Sequence, residues 1–198
     1  GEYPIAWCAL DNNAVSAHDT KGDVDPELEE VVTVKFEVAK DTYLVTSTYR
    51  PETIYGVTNI WINPKFDYVK ARIKASGNKK NETLILSKKA AEALCLQLQL
   101  EILGKISFEE ILKMSAKNPI DNRIVPVYAA SFVKEDVGTG VVMSVPAHAP
   151  LDYLALRDMN KADNLIQVVS VNGYGSAPAK DAVERLKIKD QLDPLSEQ

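Results

Sequence analysis

Apolar side chains recur at every second position in VVTVKFEV, where Val32, Val34, Phe36 and Val38 fall on one side and Thr33, Lys35 and Glu37 on the other. A period of two turns one row of side chains toward a core and the other toward water, so the segment predicts a half-buried β-strand. YLVTST at 43–48 follows at once and is rich in β-branched residues, which suit a pleated surface. It runs into Arg50-Pro51-Glu52-Thr53. Pro51 lacks the N–H that a ladder needs and holds Arg50 extended, so the strand must stop there. TNIWIN at 58–63 resumes the β pattern and ends at Pro64.

DYVKARI and ETLILS flank Gly77-Asn78 and predict a hairpin, and SKKAAEALCLQL, opening at Ser87, has helical spacing. RIVPVYAASFV and GTGVVMSVP are two more strand candidates joined by the charged KEDVG, and Pro150, suited to a first helical turn, introduces LDYLALRDM. LIQVVSV, Gly173-Tyr174-Gly175 and a short helix near AKDAVERL follow. Strands dominate and no βαβ alternation appears. The expected class is therefore α+β, with a closed or nearly closed β-barrel core and peripheral helices. Residues 1–30, punctuated by Pro4, Asp11-Asn12-Asn13, Gly22 and Pro26, read as an irregular lead-in. Residues 31–175 read as the core and 176–198 as a C-terminal helical segment. The opening Gly1 and the polar DQLDPLSEQ are those expected of an excerpt from a longer polypeptide.

Charge narrows the function. With 23 Lys plus Arg against 28 Asp plus Glu, the 198 residues carry a net charge of −5. That balance argues against gripping a long duplex by counterion release. Lys70, Arg72, Lys74, Lys79, Lys80, Lys88 and Lys89 against Glu82 form a local basic stretch. It reads first as a solvated hairpin tip and second as a phosphate-facing patch. No apolar run approaches the roughly 20 residues that span a bilayer, and no secretory signal pattern opens the chain. A cytoplasmic location is expected. Cys8 and Cys95 lie 87 positions apart with no CxxC partner and read as structural thiols rather than a disulfide or zinc site. His18 and His148 lie 130 positions apart, so no multi-His site and no metal are expected. GTG at 138–140 lacks the GxGxxG spacing of a dinucleotide loop, and no GxSxG elbow is present.

Two polar clusters remain. Thr46, Ser47, Thr48, Arg50, Glu52, Thr53 and Thr58 crowd hydroxyls around the Pro51 break, although threonines favour strands and turns on their own account. PAHAPLD puts Asp152 in the first turn of the next helix, where the dipole favours a carboxylate. Together, TSTYRPETIYGVTNIWINP at 46–64 and GTGVVMSVPAHAPLDYLALRD at 138–158 resemble two signature segments. These belong to the editing domain inserted in class I synthetases for leucine, isoleucine and valine. The shared order is a threonine-rich strand, an Arg-Pro-acid-Thr turn and, about 85 residues later, a GTG strand ending in Pro-Ala-His and an Asp. VVMSVPAHAP is similar to the archaeal and eukaryotic leucyl branch; isoleucine enzymes usually carry Pro-Trp-Thr after the threonines, and valine enzymes a different run after GTG. WCALDNNAVSAHD and GYGSAPAKDAVERLKIKDQLDP resemble that branch's flanks, so the likeness covers almost the whole chain. One departure is Ala149, where bacterial leucyl enzymes carry a second Asp.

The resemblance implies the editing-domain fold and hydrolysis of isoleucine, norvaline or methionine esterified to tRNA(Leu), sparing leucyl-tRNA. One methylene is worth only about 1–3 kcal/mol in a synthetic pocket, so a second sieve is required. By resemblance, Thr48 orients the attacking water or the ester carbonyl, and Asp152 anchors the substrate's α-ammonium. Thr46, Ser47, Arg50, Thr53, His148 and Val142 complete the substrate contacts, with Thr53 the stiff β-branched residue that senses branching at Cγ. The activated ester needs no protein nucleophile, metal or cofactor; ATP belongs to the synthetic module outside this segment. The implied partners are the 3′ end of mischarged tRNA(Leu) and the remainder of the synthetase, with no membrane; the isolated domain is expected to be a monomer of weak tRNA affinity. Lys113-Met114-Ser115-Ala116-Lys117 resembles the ATP-binding KMSKS loop. With no HIGH-like motif beside it, the segment reads as a chance match in a polar turn. The alternatives are a valyl or isoleucyl editing domain, or a noncatalytic RNA- or nucleotide-binding β-barrel; aromatic residues at 7% leave the latter few stacking platforms.

Overall fold

Val34 and Phe36, two of the alternating apolar residues of VVTVKFEV, point into the core of the computed structural model, which describes residues 5–27, 30–73, 81–135, 137–191 and 193. The chain divides into Gly1–Val31 and Val32–Gln198. In the first unit β1 (Trp7–Cys8) pairs antiparallel with β2 (Asn13–Ala14), and the Asp19 carboxylate accepts the Ser16 amide at the start of a 3-10 turn, Ala17–Asp19.

The second unit contains β3 (Val32–Ala39), β4 (Thr42–Thr48), β5 (Asn59–Ile62), β6 (Tyr68–Ile73), β7 (Glu82–Ser87), β8 (Leu100–Ile106), β9 (Ser115–Lys117), β10 (Ile124–Ala129) and β11 (Val141–Ser144). They form one mixed sheet in the order β11-β5-β10-β9-β3-β4-β7-β6-β8. β10 runs parallel to β5 and β4 parallel to β7; the other neighbours are antiparallel. The sheet curls until its edge strand β11 lies against β4. Side chains, rather than a ladder, complete the turn of the barrel: the Thr139 amide donates to Ser47 Oγ at 3.0 Å. Inside lie Val34, Phe36, Leu44, Ile60, Ile62 and Met143 with their neighbours.

The helices α1 (Lys88–Leu94), α2 (Phe108–Leu112), α3 (Pro150–Asp158) and α4 (Pro178–Leu186) are short, and α2 packs Ile111 and Phe108 on the inner cluster. Ser87 caps α1 by accepting the Ala90 amide, and Ser107 and Glu110 cap α2 reciprocally. Pro150 takes the first position of α3, where a missing N–H costs nothing. α3 covers the outer face of β5, so all four β5 residues are buried; Trp61 packs there with Ala155 and Leu156. Among the described residues no helix is long and apolar enough to cross a membrane.

Several expectations need revision. β8, α2 and β9 were not legible in the sequence, because two of them have only five and three residues, below the window in which a period shows. The KMSAK segment is not a polar turn: Met114 packs on the inner cluster, and Ser115–Lys117 is β9, paired with β10. β10 and β11 are not partners, since β5 lies between them. Cys95 is exposed and Cys8 only partly buried, so neither is a core thiol. β6 and β7 pair as expected, whereas Gly77-Asn78, Lys74, Lys79 and Lys80 lie outside the described residues. Lys88 and Lys89 pair with Glu92 and Glu135.

Candidate functional site

β4 delivers its last hydroxyl, Thr48, to the Pro51 break. The Arg50 amide donates to Thr48 Oγ1 at 3.0 Å, which leaves the Thr48 O–H free to donate. Pro51–Gly56 then forms a 3-10 turn. Both the amide and Oγ1 of Thr53 donate to the Arg50 carbonyl, at 3.1 and 2.8 Å, and the residue is 7% exposed. With the hydroxyl committed to its own turn, Thr53 has its methyl group to set against a ligand. Arg50 Nε donates to Glu52 Oε1 at 2.9 Å on the exposed side, and this bond holds the Glu52 carboxyl below its ordinary range.

Thr46 and Ser47 stand differently. Thr46 is fully buried, its Oγ1 donating to Val34 O at 3.4 Å. Ser47 points to the opposite face of β4, where it receives the Thr139 amide. A Cβ on Gly138, whose φ is +59°, would lie 1.7 Å from Ser47 Oγ. Only glycine lets the GTG segment come this close in that conformation. Of Thr46, Ser47 and Thr48, the three hydroxyls expected at the substrate, the structure thus leaves Thr48 available.

The second signature meets the first through Val145. A Cβ on Gly56 would lie 2.9 Å from Val145 Cγ1 and 2.6 Å from Val168 Cγ2, so the 51–56 turn is pressed onto the exit of β11. The Val145 amide in turn donates to Asp152 Oδ2 at 2.6 Å, and Trp61 Nε1 donates to Oδ1 at 2.9 Å. Asp152 is 6% exposed, and burial raises its pKa to about 6 against the lowering effect of both bonds. A carboxylate offers about four acceptor positions; these two donors leave the others open. His148 Nε2 accepts the amides of Val168 and Val169 at 2.8 and 3.3 Å. Burial and the nearby Arg50 charge lower its pKa, as suits a neutral ring accepting N–H donors.

Val142 is not brought to this site. It packs with Trp61, Ala155 and Leu156 beneath α3, because the register of β11 turns Val141, Met143 and Val145 inward. The inward residues that sequence reasoning missed, Met143 and Val145, were marked by that same alternation. Trp61 was missed as well, although an indole N–H flanked by two isoleucines signals a buried acceptor.

A family model for the leucyl-tRNA synthetase editing domain matches residues 29–184. The leucine–tRNA ligase of Pyrobaculum aerophilum is 46% identical over 198 residues, covering 100% of this chain and 20% of that protein. Leucine–tRNA ligase 2 of Metallosphaera sedula is 45% identical over 191 residues, 96% of this chain and 19% of the other. The chain therefore spans about a fifth of the length of these curated relatives. The crystal structure of the P. falciparum cytosolic leucyl-tRNA synthetase editing domain has the same fold, with a TM-score of 0.68 over 79% of this chain and 63% of that one at 19% identity. With the family model and the ligases agreeing over nearly the whole sequence, the chain belongs to the leucyl-tRNA synthetase editing-domain family.

Proposed function

We propose that this chain hydrolyses the ester of non-cognate amino acids, isoleucine, norvaline or methionine, mischarged on tRNA(Leu), while sparing leucyl-tRNA. The observation that carries the reading is a buried carboxylate, Asp152, held by two neutral N–H donors, one of them the amide of Val145, whose side chain packs against the 51–56 turn. Every aminoacyl ester carries a free α-ammonium, and Asp152 accepts it in a charge-assisted hydrogen bond. The Thr48 O–H orients the attacking water or the ester carbonyl. An ester is activated relative to an amide, so positioning a water and polarising the carbonyl suffice without a protein nucleophile or cofactor.

Thr53 is the sieve. Its hydroxyl is tied to Arg50 O, which fixes χ1 and aims a rigid methyl at the side-chain pocket, where the branched Cγ of leucine collides and unbranched or β-branched chains do not. The domain works on the single-stranded 3′ end in the cytoplasm, as a monomeric module, while the remainder of the synthetase makes most phosphate contacts. The test is deacylation of isoleucyl-tRNA(Leu) and leucyl-tRNA(Leu) by the full-length synthetase and its Asp152→Ala and Thr53→Ala variants. Asp152→Ala is expected to lower isoleucyl hydrolysis by about 100-fold, the scale of a lost charge-assisted contact. Thr53→Ala is expected to gain leucyl hydrolysis. Unchanged rates in both variants overturn the reading.

A further inference from the structure

We propose that Trp61 is a positioning residue of this reaction: its indole N–H, together with the Val145 amide, orients the Asp152 carboxylate so that its unused lone pairs face the substrate's ammonium. The inference rests on the function proposed above.

The two donors come from β5 and from the residue that follows its neighbour β11, and each takes a different oxygen, at 2.9 and 2.6 Å. Two donors on two oxygens fix both the plane and the rotation of the carboxylate. Neither donor can drift. The Val145 amide is main chain, and the Trp61 ring is fully buried between Tyr128, with centroids 6.0 Å apart, and Phe132, 5.7 Å away and edge-on.

Charge separates this arrangement from an ordinary internal ion pair. β5 and β11 carry no titratable side chain. On α3 the titratable groups are Tyr153, Arg157 and Asp158, and Arg157 is bound to Asp158 and the Lys189 carbonyl. His148 accepts two amides, and Lys161 lies over the Tyr128 ring, 4.8 Å from its centroid. Burial, the Val145 amide and Trp61 act on Asp152, and among the described residues it has no ionic partner. Neutral donors orient the carboxylate without cancelling its charge. A resident Lys or Arg would orient it equally well and would compete with the incoming ammonium.

The experiment is the pH dependence of isoleucyl-tRNA(Leu) deacylation by the full-length synthetase, from about pH 5 to 8, with kcat and KM separated. Three forms are compared with the wild type: Trp61→Phe, 3-benzothienylalanine at position 61, which keeps the ring shape and lacks the N–H, and Phe132→Leu, which loosens the same aromatic cluster and leaves the hydrogen bond in place. Both N–H-less forms are expected to lose about tenfold in kcat/KM at pH 6, chiefly through KM, with the acid limb moved to higher pH. Phe132→Leu is expected to lower the unfolding temperature and keep the wild-type limb. A wild-type limb for the benzothienyl form overturns the inference, as does an equal shift in Phe132→Leu. Asp152→Ala run alongside separates the two readings: if it stays active, the proposed function itself fails; if it is inactive while the benzothienyl form is unshifted, only the role of Trp61 falls.

Discussion

The turn after β4 and the head of α3 each present a carboxylate, and the two are held in opposite ways. Glu52 on the turn is 54% exposed and pairs with Arg50, which keeps its pKa low. Asp152 on α3 is 6% exposed, meets only neutral N–H donors among the described residues and is driven to about 6 by burial. An exposed ion pair is screened, and its partners are replaceable by water. A buried carboxylate without a cation keeps a field that a cationic ligand completes, and the fold gives up stability to maintain it. The turn shapes the site, and the head of α3 holds its charge.

The largest effect that can break this contrast is in the pH dependence of stability. Folded Asp152 titrates near 6 rather than at the ordinary 3.8, so the folded state holds the proton more tightly than the unfolded chain. Stability therefore rises as pH falls through 6 toward 4, the reverse of a salt-bridged carboxylate. Relative to Asp152→Asn, the wild type is expected to gain about 2–3 kcal/mol between pH 7 and pH 4. Urea unfolding of both proteins at the two pH values measures it, and parallel profiles would remove the buried charge from the account.

A smaller effect probes the close approach of β11's lead-in to β4. Gly138→Ala forces a Cβ into Ser47 at a positive φ and is expected to cost about 2 kcal/mol, seen as a lower urea midpoint at constant slope. A midpoint within error of wild type would mean that the GTG contact yields easily and does not hold β11 in place. The smallest effect belongs to the exposed turn. Glu52→Gln is expected to leave the unfolding temperature and the deacylation rate close to wild type; a substantial loss in either would make the turn as demanding as the buried head and erase the distinction.

The amino-acid sequence alone determined what depends on neighbours along the chain. Alternation in VVTVKFEV marked β3, Pro51 and Pro150 set an end and a beginning, Ser87 announced a cap, and the two signature segments identified the polar clusters. Each rests on local backbone geometry or a short motif. Tertiary structure alone decided which groups meet. Trp61 donates to Asp152 across 91 positions, and Val145 rather than Val142 touches the turn, because β11 pairs with β5 in one register. A slip of one residue would reverse every inward and outward side chain of that strand. The strand order β11-β5-β10 pairs both edges of β5 with segments far apart in sequence, and so no local pattern records it.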